Sequence, residues 1–234
     1  MTRALRAGII AISAIAIGIG LSGCGSDTKS EPSTSKQTSA ASSSTSTSKA
    51  APATSAAPAA GPNKTIVDYI KESNITEAPV HRGDPGSPTI DLPFPPGWED
   101  AGSRTPEWAY AAIVSNDPAM AQNPPTIIAL VSKLTGDVDP AKILEYAQGE
   151  IKNLPGYEGA EAGTPSTLGG FSATQIGGTY DKDGVKRAIA QKTVVIPGQG
   201  ALFVLQLNAD GTEDQMGALM DATSAIDEQT TITP

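Results

Sequence analysis

The chain has 234 residues, a single Cys, a single His and a formal charge of −9 at pH 7. This acidic balance disfavours non-specific binding to nucleic acid or to an anionic lipid surface, because that affinity comes from clustered Lys and Arg. One Cys excludes an intrachain disulfide and a cysteine metal cage, and one His excludes a multi-histidine metal centre. We therefore expect no metal site, no cofactor and no nucleic-acid partner.

The first segment has the pattern of an export signal. Arg3 and Arg6 precede an apolar run over residues 7–21, which is short for a hydrocarbon core of about 30 Å. The run ends in Leu21-Ser22-Gly23-Cys24, which resembles the lipobox of bacterial lipoproteins. That resemblance implies a cleaved signal peptide over residues 1–23 and a lipid attached to Cys24. We predict a protein held at the extracytoplasmic face of the cell membrane by this anchor.

The second segment is a linker of low complexity. Residues 25–62 consist mainly of Ser, Thr, Ala and Pro, and such a stretch cannot bury enough apolar surface to offset its ordering entropy. We predict that residues 24–62 form a lipidated Cys followed by a disordered tether, whose reach is roughly 30–37 Å. Because every aromatic residue lies beyond residue 62, residues 63–234 are predicted to form the folded domain.

Three helices in this domain are predicted from the residues that begin them. Each start pairs a capping side chain with a favourable partner in the first turn. The pairs are Thr65 with Asp68, Asp139 with Pro140, and Thr212 with Gln215. Apolar residues at helical spacing follow each pair and predict helices that end near residues 74, 154 and 226.

Between the helices the sequence predicts strands joined by tight turns. Asp181-Lys182-Asp183-Gly184 and Pro197-Gly198-Gln199-Gly200 favour two consecutive hairpins, which imply an antiparallel sheet. Helices at the start, middle and end of the domain would cover the faces of this sheet, so the predicted fold class is α+β. The predicted strands cover residues 89–92, 108–115, 126–132, 171–180, 185–196 and 201–207.

One segment adds a family resemblance. Together with the lipobox, the tether, the first helix and the strand pattern, Asp91-Leu92-Pro93-Phe94-Pro95-Pro96-Gly97-Trp98 resembles the LpqN/LpqT family of mycobacterial lipoproteins. The resemblance implies a PsbP-like α/β/α sandwich with a mainly antiparallel sheet. It also implies an accessory or ligand-binding role at the cell envelope, and it brings no catalytic residue with it.

The sequence does not favour an enzyme. A serine hydrolase needs a base, and the single imidazole, His81, lies in a predicted loop; no Gly-x-Ser-x-Gly motif is present. Asp181-x-Asp183-Gly184 begins like a calcium loop, but Lys192 occupies the position of the required Glu, which favours the hairpin. A pair of carboxylates of the glycosidase type stays open. We expect no enzymatic activity.

The candidate ligand site consists of four aromatic residues around the Pro-rich turn and the strand after it: Phe94, Trp98, Trp108 and Tyr110. Aromatic faces stack on sugar rings and line acyl pockets. Trp108 and Tyr110 share parity along a predicted strand, so both side chains should face one side. We predict that the four residues line a groove between sheet and helix. Packing of each aromatic in the core is the alternative.

Two functions remain compatible with these observations. The first is binding of an envelope component, a glycolipid or lipid precursor, as an accessory to transport or envelope biogenesis beside a membrane transporter. The second is a protein–protein adaptor of the cell envelope with no small-molecule ligand. The acidic charge suits neutral glycolipids or basic protein partners rather than phosphate head groups.

Overall fold

The computed structural model describes residues 61–234, so the predictions for the signal peptide, Cys24 and most of the tether lie outside the described residues. Within the described part there are three α-helices, none of which is long and apolar enough to span a membrane. The helices are α1 (Ile66–Glu72), α2 (Pro140–Lys152) and α3 (Met216–Gln229).

The predicted capping residues begin the first two helices. At α1, Thr65 Oγ1 accepts a hydrogen bond from the Asp68 backbone N–H, and the Asp68 carboxylate accepts one from the Thr65 backbone N–H. At α2, the Asp139 carboxylate accepts from the N–H of Ala141, two residues on. These bonds satisfy backbone donors that a helix start leaves free, so both start predictions are confirmed.

The third helix begins one turn later than predicted. Thr212 and Gln215 do form a capping box, but it opens a short 3-10 turn, Glu213–Gln215, which then leads into α3. The side chain of Gln215 is buried and donates to the backbone carbonyl of Asn123, 2.8 Å away. This long-range bond fixes the turn in place, and a sequence pattern cannot show it.

Most strands belong to one nine-stranded sheet with the order β3-β4-β5-β10-β9-β8-β6, in which β1 also pairs with β5 and β7 with β8. Every pairing is antiparallel. The strands are β1 (Thr76–Pro79), β2 (Thr89–Asp91), β3 (Trp98–Asp100), β4 (Ala111–Ser115), β5 (Thr126–Thr135), β6 (Glu158–Gly159), β7 (Thr164–Leu168), β8 (Phe171–Lys182), β9 (Val185–Gly198), β10 (Ala201–Thr212) and β11 (Thr231–Thr233).

Both predicted hairpins are confirmed, and the first is tighter than expected. The β8–β9 turn consists of Asp183 and Gly184, whose φ angles are 52° and 76°. Two positive φ angles are what a two-residue turn of type I′ requires, and Asp-Gly is a favoured pair for it. The β9–β10 turn contains Gln199 and Gly200.

The prediction that a strand runs over residues 108–115 is wrong at its start. Strand β4 begins at Ala111, and the residues before it form a turn in which the Ala109 N–H donates to the Pro106 carbonyl, 2.9 Å away. Trp108 therefore precedes the strand, and the strand parity that was to place it beside Tyr110 does not apply.

The strand predicted over residues 89–92 is present as β2, but it stands apart from the large sheet. It pairs with β11, near the end of the described residues, and the two form a separate two-stranded sheet. Strand β11 and the short strands β1, β3, β6 and β7 were not predicted. They are edge or peripheral strands, whose side chains lack the alternation that marks a half-buried strand.

Helices cover both faces of the large sheet. Alternate residues of β9 and β10 point to opposite sides, so one set packs against α3 and the other against α1 and α2. Val194, Ile196, Phe203 and Leu205 belong to the core that contains α3, and Val195, Leu202 and Val204 to the core that contains α1 and α2. The predicted α+β class and the α/β/α sandwich with a mainly antiparallel sheet are confirmed.

Candidate functional site: a groove between the sheet and the C-terminal helix

A groove of about 400 Å³ lies between α3 and the sheet. Its floor includes Gly177 of β8, Ala190 of β9 and Ala209 of β10, which are direct cross-strand neighbours. In a parallel row of the same face, Val194 and Leu205 fill the space beneath the helix. The groove exists because one row of the sheet has almost no side-chain volume where α3 passes over it.

One wall of the groove is a single face of α3. Met220, Thr223, Ser224 and Asp227 line it, and their spacing of three, four and seven residues places them on one side of a helix. Met220 is exposed at this wall, although a thioether side chain of this size is normally buried. On the opposite side the lining includes Ala160, which directly follows β6, and Thr164, which begins β7.

The groove changes from apolar to polar along its length. At the β5 and β10 side the lining is apolar, with Ile127, Leu207 and Ala209. At the β8 and β7 side it is polar, with Gln175 and Thr164. The lining runs from β5 through β10, β9 and β8 to β7, which is four steps of about 4.8 Å, so the groove spans roughly 19 Å across the sheet. An apolar end and a hydrogen-bonding end suit an amphiphilic molecule.

A charged pair stands in the groove. The ammonium of Lys192 on β9 donates to Asp227 Oδ2 on α3, with a distance of 2.6 Å between the two atoms. The Lys192 side chain is only 9% exposed, whereas that of Asp227 is 38% exposed. A buried ammonium without a partner is costly, so Asp227 compensates it and also links α3 to the sheet. Together the two groups leave the groove with no net charge at this point.

The four aromatic residues predicted to bind a ligand do not line this groove. Trp98 and Tyr110 are 8% and 5% exposed and belong to the same core as α3, and the Tyr110 hydroxyl accepts a hydrogen bond from the Ile90 N–H. Phe94 is 55% exposed in the loop before β3, and Trp108 is half-buried. The structure thus brings Trp98 and Tyr110 together as core residues. None of the four lies in the lining of the groove beneath α3, and their role in ligand binding stays a prediction.

His81 lies where the sequence placed it, in an exposed loop. Its Nε2 is 3.1 Å from the Glu107 carbonyl oxygen, and its Nδ1 is 3.6 Å from the Asp84 carboxylate. Within residues 61–234, no group of three or more His, Cys, Asp or Glu side chains is arranged to hold a metal ion.

The sequence contains a local signal for the groove floor, two adjacent glycines within a strand. Gly177 and Gly178 interrupt β8, and a glycine within a strand often marks a close backbone approach. At Gly178 this holds, because a Cβ atom there would lie 2.4 Å from the Glu158 carbonyl oxygen of β6. That Gly177 lies in the groove floor depends on where α3 crosses the sheet, which the sequence does not show.

The opposite face of the sheet holds a buried polar cluster beneath α2. The Glu150 carboxylate accepts a hydrogen bond from Gln206 Nε2 at 3.0 Å, and Gln191 Nε2 donates to Asn208 Oδ1 at 2.9 Å. Burial raises the pKa of Glu150 because it removes water from the charged form, while the amides of Gln206 and Gln191 partly oppose that change. The cluster lies outside the groove.

We expect Glu150→Gln to stabilise the protein at neutral pH. A carboxyl whose pKa is raised by folding favours the folded state below its unfolded pKa, and that contribution is lost as the pH rises through the folded pKa. Gln keeps an acceptor for Gln206 but carries no charge. Urea unfolding from pH 4 to pH 8 should therefore show a larger free energy of unfolding for the variant toward pH 8. The exposed Glu145→Gln on the same helix is the control, and an equal response of both variants would contradict this account.

A second group of polar side chains, on the face of the sheet that α2 covers, connects the three long strands β8, β9 and β10. The Tyr180 hydroxyl donates to Asp210 Oδ2 at 2.7 Å, and Arg187 Nε donates to Asp210 Oδ1 at 2.9 Å. Burial and the neighbouring carboxylate both raise the pKa of Tyr180 above its ordinary value. The three residues come from β8, β9 and β10, so this group holds the strands that form the groove floor.

Comparison with known proteins connects this architecture to one family. A family model described as "Probable lipoprotein LpqN" matches residues 62–233. The lipoprotein LpqN of Mycobacterium tuberculosis is 57% identical over 226 residues, which cover 96% of this chain and 97% of that protein. LpqT of Mycobacterium leprae is 26% identical over 140 residues, covering 58% of this chain and 60% of that one.

A solved structure shows the same fold. The crystal structure of Mycobacterium tuberculosis LpqN, described as involved in cell envelope biogenesis, superimposes with a TM-score of 0.70 and 61% sequence identity. The match covers 74% of this chain and the whole of that one.

Proposed function

The chain belongs to the LpqN lipoprotein family, and from this we propose that it binds one amphiphilic component of the cell envelope in the groove beneath α3. The relative described as involved in cell envelope biogenesis supports a role at the same location. In this role the protein would act as an accessory to envelope biogenesis or transport, beside a membrane transporter or another envelope protein.

The observation that carries the proposal is the change of polarity along the groove. An acyl chain would lie on the apolar floor near Leu207 and Ala209, and a polar head would meet Gln175, Thr164 and the Lys192–Asp227 pair. Clefts with an apolar lining and a few polar groups are the usual form of small-molecule sites. A glycolipid or lipid precursor has this combination of chain and hydroxyl-rich head.

The proposed lipid anchor would keep the groove close to the membrane, where envelope lipids are found. A lipid on Cys24 would hold the protein on the extracytoplasmic face of the cell membrane, and the tether of residues 25–62 would let the domain reach roughly 30–37 Å from it.

The proposed role is binding rather than catalysis. The charged groups in the groove, Lys192 and Asp227, neutralise each other, and the exposed His81 contacts Glu107 and Asp84 rather than either of them. An ammonium held by a carboxylate is neither a ready base nor a ready nucleophile at neutral pH.

Filling the groove should weaken ligand binding at least about tenfold, because a branched side chain would occupy the space of an acyl chain. Ala190→Leu adds volume at the partly exposed floor, and Ser224→Tyr narrows the groove from the α3 wall. The probe is dodecyl maltoside below its micelle concentration, measured by isothermal titration calorimetry on the mature chain with Cys24 replaced by Ala. Ala141→Leu, at an exposed position of α2, is the matched control and should bind like the wild type.

The same titration separates the two functions left open by the sequence. Saturable binding that Ala190→Leu and Ser224→Tyr both weaken supports the amphiphile carrier. If the wild type shows no saturable binding of the glycoside, the groove has no such ligand and the protein–protein adaptor becomes the better account.

A further inference from the structure

We propose that Asp227 determines which amphiphiles the groove accepts, by keeping the buried ammonium of Lys192 neutralised and so admitting uncharged head groups while rejecting acidic ones. The inference rests on the proposed ligand groove, and it adds the charge class of the ligand. It assigns Asp227 as a specificity-determining residue.

The position of the pair supports this assignment. Lys192 and Asp227 both line the groove, one from the sheet and one from the helix wall, so a ligand head at the polar end lies against both of them. The neighbouring polar residues Gln175 and Thr164 are uncharged. Within the groove lining, Lys192 and Asp227 are therefore the charged groups that a head group meets.

A hydroxyl-bearing head can use the pair without breaking it. The Lys192 ammonium has three N–H donors and gives one to Asp227, so others remain for ligand oxygens. The Asp227 carboxylate has free acceptor positions for ligand hydroxyls, and its partial exposure leaves them accessible. A sugar or polyol supplies both kinds of partner, since each hydroxyl donates and accepts.

An acidic head group would be repelled by the Asp227 carboxylate. Its carboxylate or phosphate would have to share the Lys192 ammonium with an Asp227 oxygen that is already 2.6 Å from it. Two anions around one buried ammonium repel each other, and the low exposure of Lys192 weakens the screening by water. The unfavourable contact weakens the binding of acids relative to uncharged amphiphiles of the same chain length.

Replacing Asp227 by Asn removes the repulsion and leaves the Lys192 charge in the groove. The amide has nearly the same shape as the carboxylate and can still accept a hydrogen bond from the ammonium. In this variant the Lys192 ammonium is no longer neutralised, and it lies beside the apolar part of the groove. That combination is a site for a fatty acid anion.

The test compares two probes with the same chain, dodecyl maltoside and dodecanoate, below their micelle concentrations at pH 7.5. The protein is the mature chain with Cys24 replaced by Ala, and binding is measured by calorimetry. The wild type should bind the glycoside at least about tenfold more tightly than dodecanoate, and Asp227→Asn should bind dodecanoate at least about tenfold more tightly than the wild type does. Glu228→Gln, the adjacent exposed acid on α3, makes the same change in net charge and should leave both affinities unchanged.

Three outcomes would overturn the inference: equal affinity of the wild type for both probes, no gain of dodecanoate binding in Asp227→Asn, or an equal gain in Glu228→Gln. The double variant Lys192→Gln with Asp227→Asn should lose the gained dodecanoate binding. Wild-type selectivity is measured without any groove variant, so the inference stays open to contradiction even if Asp227→Asn does not fold. Failure of the wild type to bind either probe would instead contradict the proposed ligand groove itself.

Discussion

We expect Trp98→Ala to lower the free energy of unfolding by about 3–5 kcal/mol, the range for truncating a buried large aromatic side chain. Trp98 is 8% exposed and begins β3, where it packs into the core that also contains α3. Its removal would leave a cavity beneath an edge strand. Urea unfolding of the mature chain, followed by circular dichroism, measures this loss.

Two other aromatics supply the controls for this prediction. Phe94 lies in the preceding loop and is mostly exposed, so Phe94→Ala should change the free energy of unfolding by less than about 0.5 kcal/mol. Trp108 is half-buried, and Trp108→Ala should fall between the two. Equal losses for Trp98→Ala and Phe94→Ala would contradict the core position of Trp98. A ligand-binding role would instead show as weaker glycoside binding at unchanged stability.

The second large effect concerns the anchor. We expect Cys24→Ala to move the protein from the membrane fraction to the soluble fraction or to leave the signal peptide uncut, because the thiol is the group that would carry the lipid. Each buried methylene of an acyl chain contributes about 0.8 kcal/mol to membrane binding, so two or more chains hold a protein firmly. Cell fractionation together with a fatty-acid probe measures both the location and the lipid.

Ser26→Ala is the matched control for the anchor, because it lies two residues away and removes a hydroxyl that has no role in the proposed lipid attachment. This variant should stay in the membrane fraction and take up the probe like the wild type. Equal probe labelling of the wild type and Cys24→Ala would show that the lipid is elsewhere or absent.

The features that the sequence predicted well are local ones. The capping box of Thr65 and Asp68 and the hairpin at Asp183-Gly184 involve residues within three positions of each other, so their backbone preferences are readable without the fold. The helices predicted at the start, middle and end of the domain likewise indicated a sheet covered on both faces. The antiparallel sandwich follows from these local choices because consecutive hairpins leave few other topologies.

The groove and its charged pair were decided by the tertiary structure. Lys192 and Asp227 lie 35 positions apart in the chain. No residue near either of them in the sequence predicts that they form an ion pair. Gly177, Ala190 and Ala209 form one row only because the register of three strands aligns them, and that register depends on both hairpin turns together. No local pattern encodes such an alignment.

The four aromatic residues also show that the tertiary structure, not the local sequence, decides which side chains are buried. Their clustering along the chain suggested a ligand site, but the chemistry that makes Trp98 and Tyr110 suitable for a ligand also makes them suitable for a core. The sequence by itself determined the lipobox-like pattern, the low-complexity composition of residues 25–62 and the sandwich fold, which depend on composition and short-range preference. Only the tertiary structure decided which large side chains fill the core and where α3 leaves space above the sheet, because burial is a property of the packed whole.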